Sequence, residues 1–82
     1  MATQKQMDNL FWGLRRKYFA QSNERIVAFD IISDINTYRK YDILNLHEMA
    51  ALLERAVLAT DGQDTFDYLY EENNGNLLPL FV

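Results

Sequence analysis

The chain has 82 residues, 49% of them hydrophobic and 13% aromatic, with a net charge of -4, one Pro and no Cys. That aromatic content and small net charge argue against disorder, and the absence of Cys excludes a disulfide framework, a thiol nucleophile and thiolate metal ligation. Residues 1–8 are polar, unlike a signal peptide, and no stretch approaches the roughly 18 apolar residues that would span a bilayer, so a cytoplasmic location is expected.

Thr3 and Gln6 have the spacing of a capping box and open a first helix. Behind them Met7, Leu10, Phe11, Leu14 and Tyr18 recur at three and four residues and form one apolar stripe. Trp12 and Phe19 fall off that stripe, either widening the buried face or looking outward. Gly13 costs this helix about 1 kcal/mol relative to Ala. Residues 20–24 have turn composition, with Ser22 or Asn23 as the next N-cap. Over residues 25–38 the β-branched content favours strand. The polar stripe Asp30, Ser33, Asp34 and Thr37 favours helix, and helix is the reading adopted, followed by a connection over 39–44.

Asn45 and Glu48 form a second capping box, with Leu44 and Met49 placed as a hydrophobic staple. Leu46 to Ala59 is rich in strong helix formers and has a wide apolar arc, as expected of a central helix with neighbours on two sides. Gly62 ends it. Asp64 is placed to cap a short fourth helix from Thr65 to about Glu72. After an Asn/Gly break at 73–76, residues 77–82 are apolar enough that they must dock on something.

The expected fold is all-α: a small compact bundle of three main helices, a short fourth and an apolar C-terminal tail, forming one helical domain over residues 1–82. Leu10, Leu14, Ile31, Ile35, Leu46, Met49, Leu53 and Val57 are the expected core. A domain this small has a modest core, and a second copy or a partner is the cheapest source of further stability. A homodimer is therefore expected.

Charge is segregated along the chain. Residues 1–41 carry seven basic against four acidic side chains, net +3, and residues 42–82 carry one basic against eight acidic, net -7. Such polarity orients partners and favours head-to-tail contact. Asp61, Asp64, Asp67, Glu71 and Glu72 form an acidic pole, which reads first as a solvated surface, with a mimic of nucleic acid as the alternative. Arg15, Arg16 and Lys17 are the only basic run, few cations for phosphate binding on a chain of pI about 4.7. Direct binding of nucleic acid is therefore not expected.

His47 is the only histidine, and the His-Glu-x-x-His pattern it could begin has Ala51 in place of its second ligand. Residues 61–72 have the length of a calcium loop but carry Phe66 where the turn needs Gly. Neither a metal nor a cofactor is expected, and no catalytic group is recognisable.

Leu78-Pro-Leu-Phe81 resembles the end of the bacterial sliding-clamp-binding peptide, roughly Gln-Leu-x-Leu-Phe, although Leu77 stands where the Gln belongs. The resemblance implies that Leu78, Leu80 and Phe81 enter an apolar pocket on a partner. The alternative, a tail that packs back onto its own bundle, stays open beside it. The function expected is that of a non-catalytic protein–protein interaction module, a bacterial or phage-encoded inhibitor or adaptor that occupies a partner's surface. Trp12, Arg16, Phe19, Tyr68 and Phe81 are its expected contact residues, because aromatic and Arg side chains dominate interface energetics. A nucleic-acid-linked regulator, using the acidic pole or the basic run, is the alternative.

Overall fold

Two capping boxes start the two longest helices. In α1 (Gln4–Tyr18) the Thr3 hydroxyl accepts from the Gln6 amide at 3.1 Å and the Gln6 side chain accepts from the Thr3 amide at 2.8 Å. In α3 (Leu46–Thr60) Asn45 and Glu48 exchange the same pair of bonds at 2.8 and 3.0 Å, and Leu44 and Met49, the two ends of the staple, are both buried. The computed structural model describes residues 2–19, 27–41 and 43–81, among which there is no strand. The expected turn at 20–24 and its cap Ser22 or Asn23 lie outside the described residues. The remaining elements are α2 (Ala28–Lys40), α4 (Gln63–Glu72) and a 3-10 turn at Leu78–Phe81.

Side-chain bonds at successive heights fix the directions. The Ala2 amide donates to Glu48 at 2.9 Å and Arg55 donates to Asp8 at 2.7 Å, so α1 and α3 run parallel. Val27 at the start of α2 meets Asp61 at the end of α3, so α2 returns antiparallel. α3 packs against α1, α2, α4 and the C-terminal turn, which makes it the central helix its wide apolar arc demanded. The resulting body measures 32 × 29 × 18 Å. Leu14, Ile31, Ile35, Met49, Leu53 and Val57 are buried as expected, whereas Leu10 and Leu46 pack only partly against the core. The buried Thr60 satisfies its hydroxyl on the Ala56 carbonyl at 2.8 Å.

Three local expectations are corrected. The second helix begins at Ala28 with Val27 as its N-cap residue, and Val27 offers no side-chain cap. The carboxylate of Asp61 supplies one instead, accepting the Val27 N–H at 2.9 Å, a negative charge at the positive end of the helix dipole. α2 also runs on to Lys40, two residues past its expected end. α4 begins at Gln63, with Asp64 inside its first turn and not at its cap. Gly62, at φ +87°, turns the chain so sharply that it closes α3 through its N–H to the Val57 carbonyl and opens α4 through its C=O, which accepts from Phe66.

The tail packs on its own bundle. Phe81 is only 1% exposed and Leu77 is buried with it, against α2 and α3. Asn36 donates to the Leu80 carbonyl at 3.5 Å and Arg39 donates to the Phe81 carbonyl, so two α2 side chains hold the tail backbone. The chain reaches that position through the turn at 73–76, where Gly75 adopts φ +77° beneath the Tyr70 ring. A Cβ at Gly75 would sit 3.4 Å from that ring.

Candidate functional site

The buried arc of α1 is carried by Phe11, Leu14 and Tyr18. At about 100° per residue, positions 12, 15, 16 and 19 fall together on another side of the helix. Trp12 is 50% exposed and Phe19 54%, so both look outward. Arg15 bridges them, its guanidinium 5.3 Å from the Trp12 ring centroid and 4.7 Å from that of Phe19. Trp12 stands edge-on to Phe11 at 5.3 Å, and Phe11 carries Arg55 of α3 at 3.9 Å over its ring. Arg55 is in turn paired with Asp8, whose carboxyl is held below its usual pKa by that hydrogen bond.

Rings and cations therefore form one continuous run from Arg55 through Phe11, Trp12 and Arg15 to Phe19. Each cation–π contact at an exposed position is worth about 0.5–1 kcal/mol. Their effect is to hold large side chains in one arrangement, which lowers the entropy lost when a partner covers them. The spacing of 12, 15 and 19 carried the signal for this stacking, because residues three and four apart on a helix are neighbours. Arg15 was nonetheless missing from the expected contact residues, and so was Arg55, whose meeting with Phe11 depends on tertiary packing.

Of the expected contact residues, Trp12, Arg16 and Phe19 share this stripe and are exposed. Tyr68 is also exposed, at 54%, but on α4. Phe81 is corrected: it belongs to the core and presents no surface to a partner. The acidic pole is corrected at one position. Asp64, Asp67, Glu71 and Glu72 are exposed on α4, whereas Asp61 turns inward to cap α2 with one oxygen, and its other oxygen is buried without a hydrogen-bond partner.

A second feature is an open cleft of about 360 Å³ lined by Gly13, Leu14, Lys17, Asp34, Thr37 and Tyr38. The Asp34 carboxylate accepts from the Tyr18 hydroxyl at 2.6 Å and from Lys17 at 2.9 Å. Burial, and then the Asp34 bond, push the Tyr18 phenol above its usual pKa, and the hydrogen bond to Asp34 pushes Lys17 up. Both donors are thus held protonated. This triad ties the end of α1 to the middle of α2.

His47 is exposed in the first turn of α3. Residues 61–72, the stretch of calcium-loop length, are a helix cap followed by α4. Among the described residues no group of three or more His, Asp or Glu side chains is placed to hold a metal ion. No helix among them is long and apolar enough to cross a membrane. Comparison of the chain with protein-family models, with curated proteins and with solved structures finds no match.

Proposed function

We propose that the chain is a non-catalytic protein–protein interaction module, an inhibitor or adaptor that covers a partner's surface with the outer stripe of α1. The observation that carries this reading is the stacked set in which the half-exposed rings of Trp12 and Phe19 flank the partly exposed Arg15, with the exposed Arg16 beside it. Side chains of this kind form the energetic centres of interfaces, where truncating one costs about 2 kcal/mol or more. That cost corresponds to roughly a 30-fold loss of affinity.

The version of the nucleic-acid alternative that binds directly through the basic run is disfavoured by the same geometry. Within the basic run Arg15 is stacked on two rings and Lys17 is paired with Asp34, which leaves Arg16 as the cation best placed for a phosphate. The test is affinity capture from bacterial lysate on the immobilised full chain, with partners identified by mass spectrometry. A Trp12→Ala/Arg16→Glu chain serves as the matched control. Partners retained by the native chain and lost from the variant support the reading. An identical set on both chains would reject α1 as the docking surface. Binding of duplex DNA at low salt that weakens steeply as salt rises would favour the alternative.

A further inference from the structure

α1 and α4 carry exposed stripes of equal length and opposite charge. Trp12, Arg15, Arg16 and Phe19 follow the spacing i, i+3, i+4, i+7, and Asp64, Asp67, Tyr68 and Glu71 follow the same spacing on α4. Each stripe extends over two turns, about 10 Å along its helix. All four α4 residues are exposed, as are Trp12, Arg16 and Phe19, with Arg15 partly so. Among the described residues no ion pair joins the arginines of one stripe to the carboxylates of the other within a single copy. Both helices spend their apolar sides on α3, which leaves the two charged stripes facing away from the core.

We propose that the occupant of the α1 stripe is the α4 stripe of a second copy of this chain. The inference rests on the reading of α1 as a docking surface and names its partner. Equal spacing makes the match insensitive to helix direction. Aligned antiparallel, Arg15 meets Tyr68 and Arg16 meets Asp67; aligned parallel, Arg15 meets Asp67 and Arg16 meets Tyr68. Either way one guanidinium pairs with a carboxylate and the other stacks on a phenol ring. Trp12 meets Glu71 or Asp64, and in both cases a carboxylate lies beside the indole ring.

Two chains of net charge -4 repel at long range. The attraction is therefore local, acting within the Debye length of about 8 Å at physiological salt. Because every copy carries both stripes, a reciprocal arrangement closes with two such contacts as a twofold dimer, and a one-way arrangement propagates.

The test is sedimentation of the full chain over a concentration series, alone and as charge-reversed variants. Arg15→Glu/Arg16→Glu makes both stripes acidic, and Asp67→Lys/Glu71→Lys makes both basic. The native chain is expected to associate, each variant alone to weaken association by about tenfold or more, and an equimolar mixture of the two variants to restore it. Helical circular dichroism confirms folding, and the milder pair Arg16→Glu and Asp67→Lys repeats the experiment should a double variant misfold. A native chain that stays monomeric throughout overturns the proposal, as do variants that associate like the native chain or a mixture that stays apart. If the native chain is monomeric but lysate partners still depend on Trp12 and Arg16, the second copy is rejected while the docking reading of α1 survives. If that dependence is lost as well, both are rejected.

Discussion

Replacing Phe81 by Ala removes a phenyl ring that is 1% exposed and packed among α2, α3 and the tail. Truncating a buried Phe costs about 3–5 kcal/mol, the lost transfer energy plus the cavity left behind. An 82-residue domain has roughly 4–12 kcal/mol of net stability in total, at the usual value per residue. The substitution should therefore remove about a quarter or more of it, and a chain ending at Asn76 should lose more, since Leu77 and the carbonyls held by Asn36 and Arg39 go too. Urea unfolding followed by helical circular dichroism measures the loss, with the slope against denaturant as a check on two-state behaviour. A loss below about 1 kcal/mol at unchanged slope is the size of an ordinary surface change. It would refute the placement of the tail in the core and return Phe81 to the list of docking residues.

Smaller effects follow from other positions. Gly13 sits mid-helix with open space where a Cβ would stand, so Gly13→Ala should stabilise the fold by about 0.5–1 kcal/mol in the same urea assay. Asp61→Ala removes the acceptor of the buried Val27 amide and should cost about 1–2 kcal/mol, with hydrogen exchange rising first at the start of α2. Glu48 is held below its ordinary pKa of 4.5, chiefly by the Asn45 amide and also by the amide of Ala2. A lowered folded-state pKa contributes stability that is full above 4.5 and lost as pH falls through the folded value. Thermal melts should show the advantage of the native chain over Glu48→Gln shrinking as pH falls below 4.5. An advantage that is constant across that range would show that the charge on Glu48 contributes nothing.

The elements that could be read from the chain alone are those whose determinants are local. Both capping boxes and the residues of the staple lie within a few residues of the turns they build; both boxes are present, and Leu44 and Met49 are both buried. The start of α2 was hidden because its cap is Asp61, 34 residues further along the chain. The start of α4 was misplaced because Asp64 resembles a cap, whereas the positive φ of Gly62 had already turned the backbone. Residues 77–81 were correctly read as having to dock. Which surface they dock on depended on Asn36 and Arg39, which no short-range pattern connects to them. At the candidate site Trp12 and Phe19 were visible by exclusion from the apolar stripe. The stacking of Arg15 between them needed side-chain geometry, and Arg55 over Phe11 needed the parallel packing of α1 on α3.

Trp12 is the chain's single tryptophan and stands half-exposed in the α1 stripe, so its fluorescence reports directly on whether that stripe is covered. Emission spectra recorded over a dilution series, alongside light scattering, are the most direct test of α1 as a contact surface between copies. The expected result is a blue shift of the indole emission as the chain associates, reversed by raising the salt. Association detected by scattering with no shift in Trp12 emission would place the contact on another face and contradict the assignment.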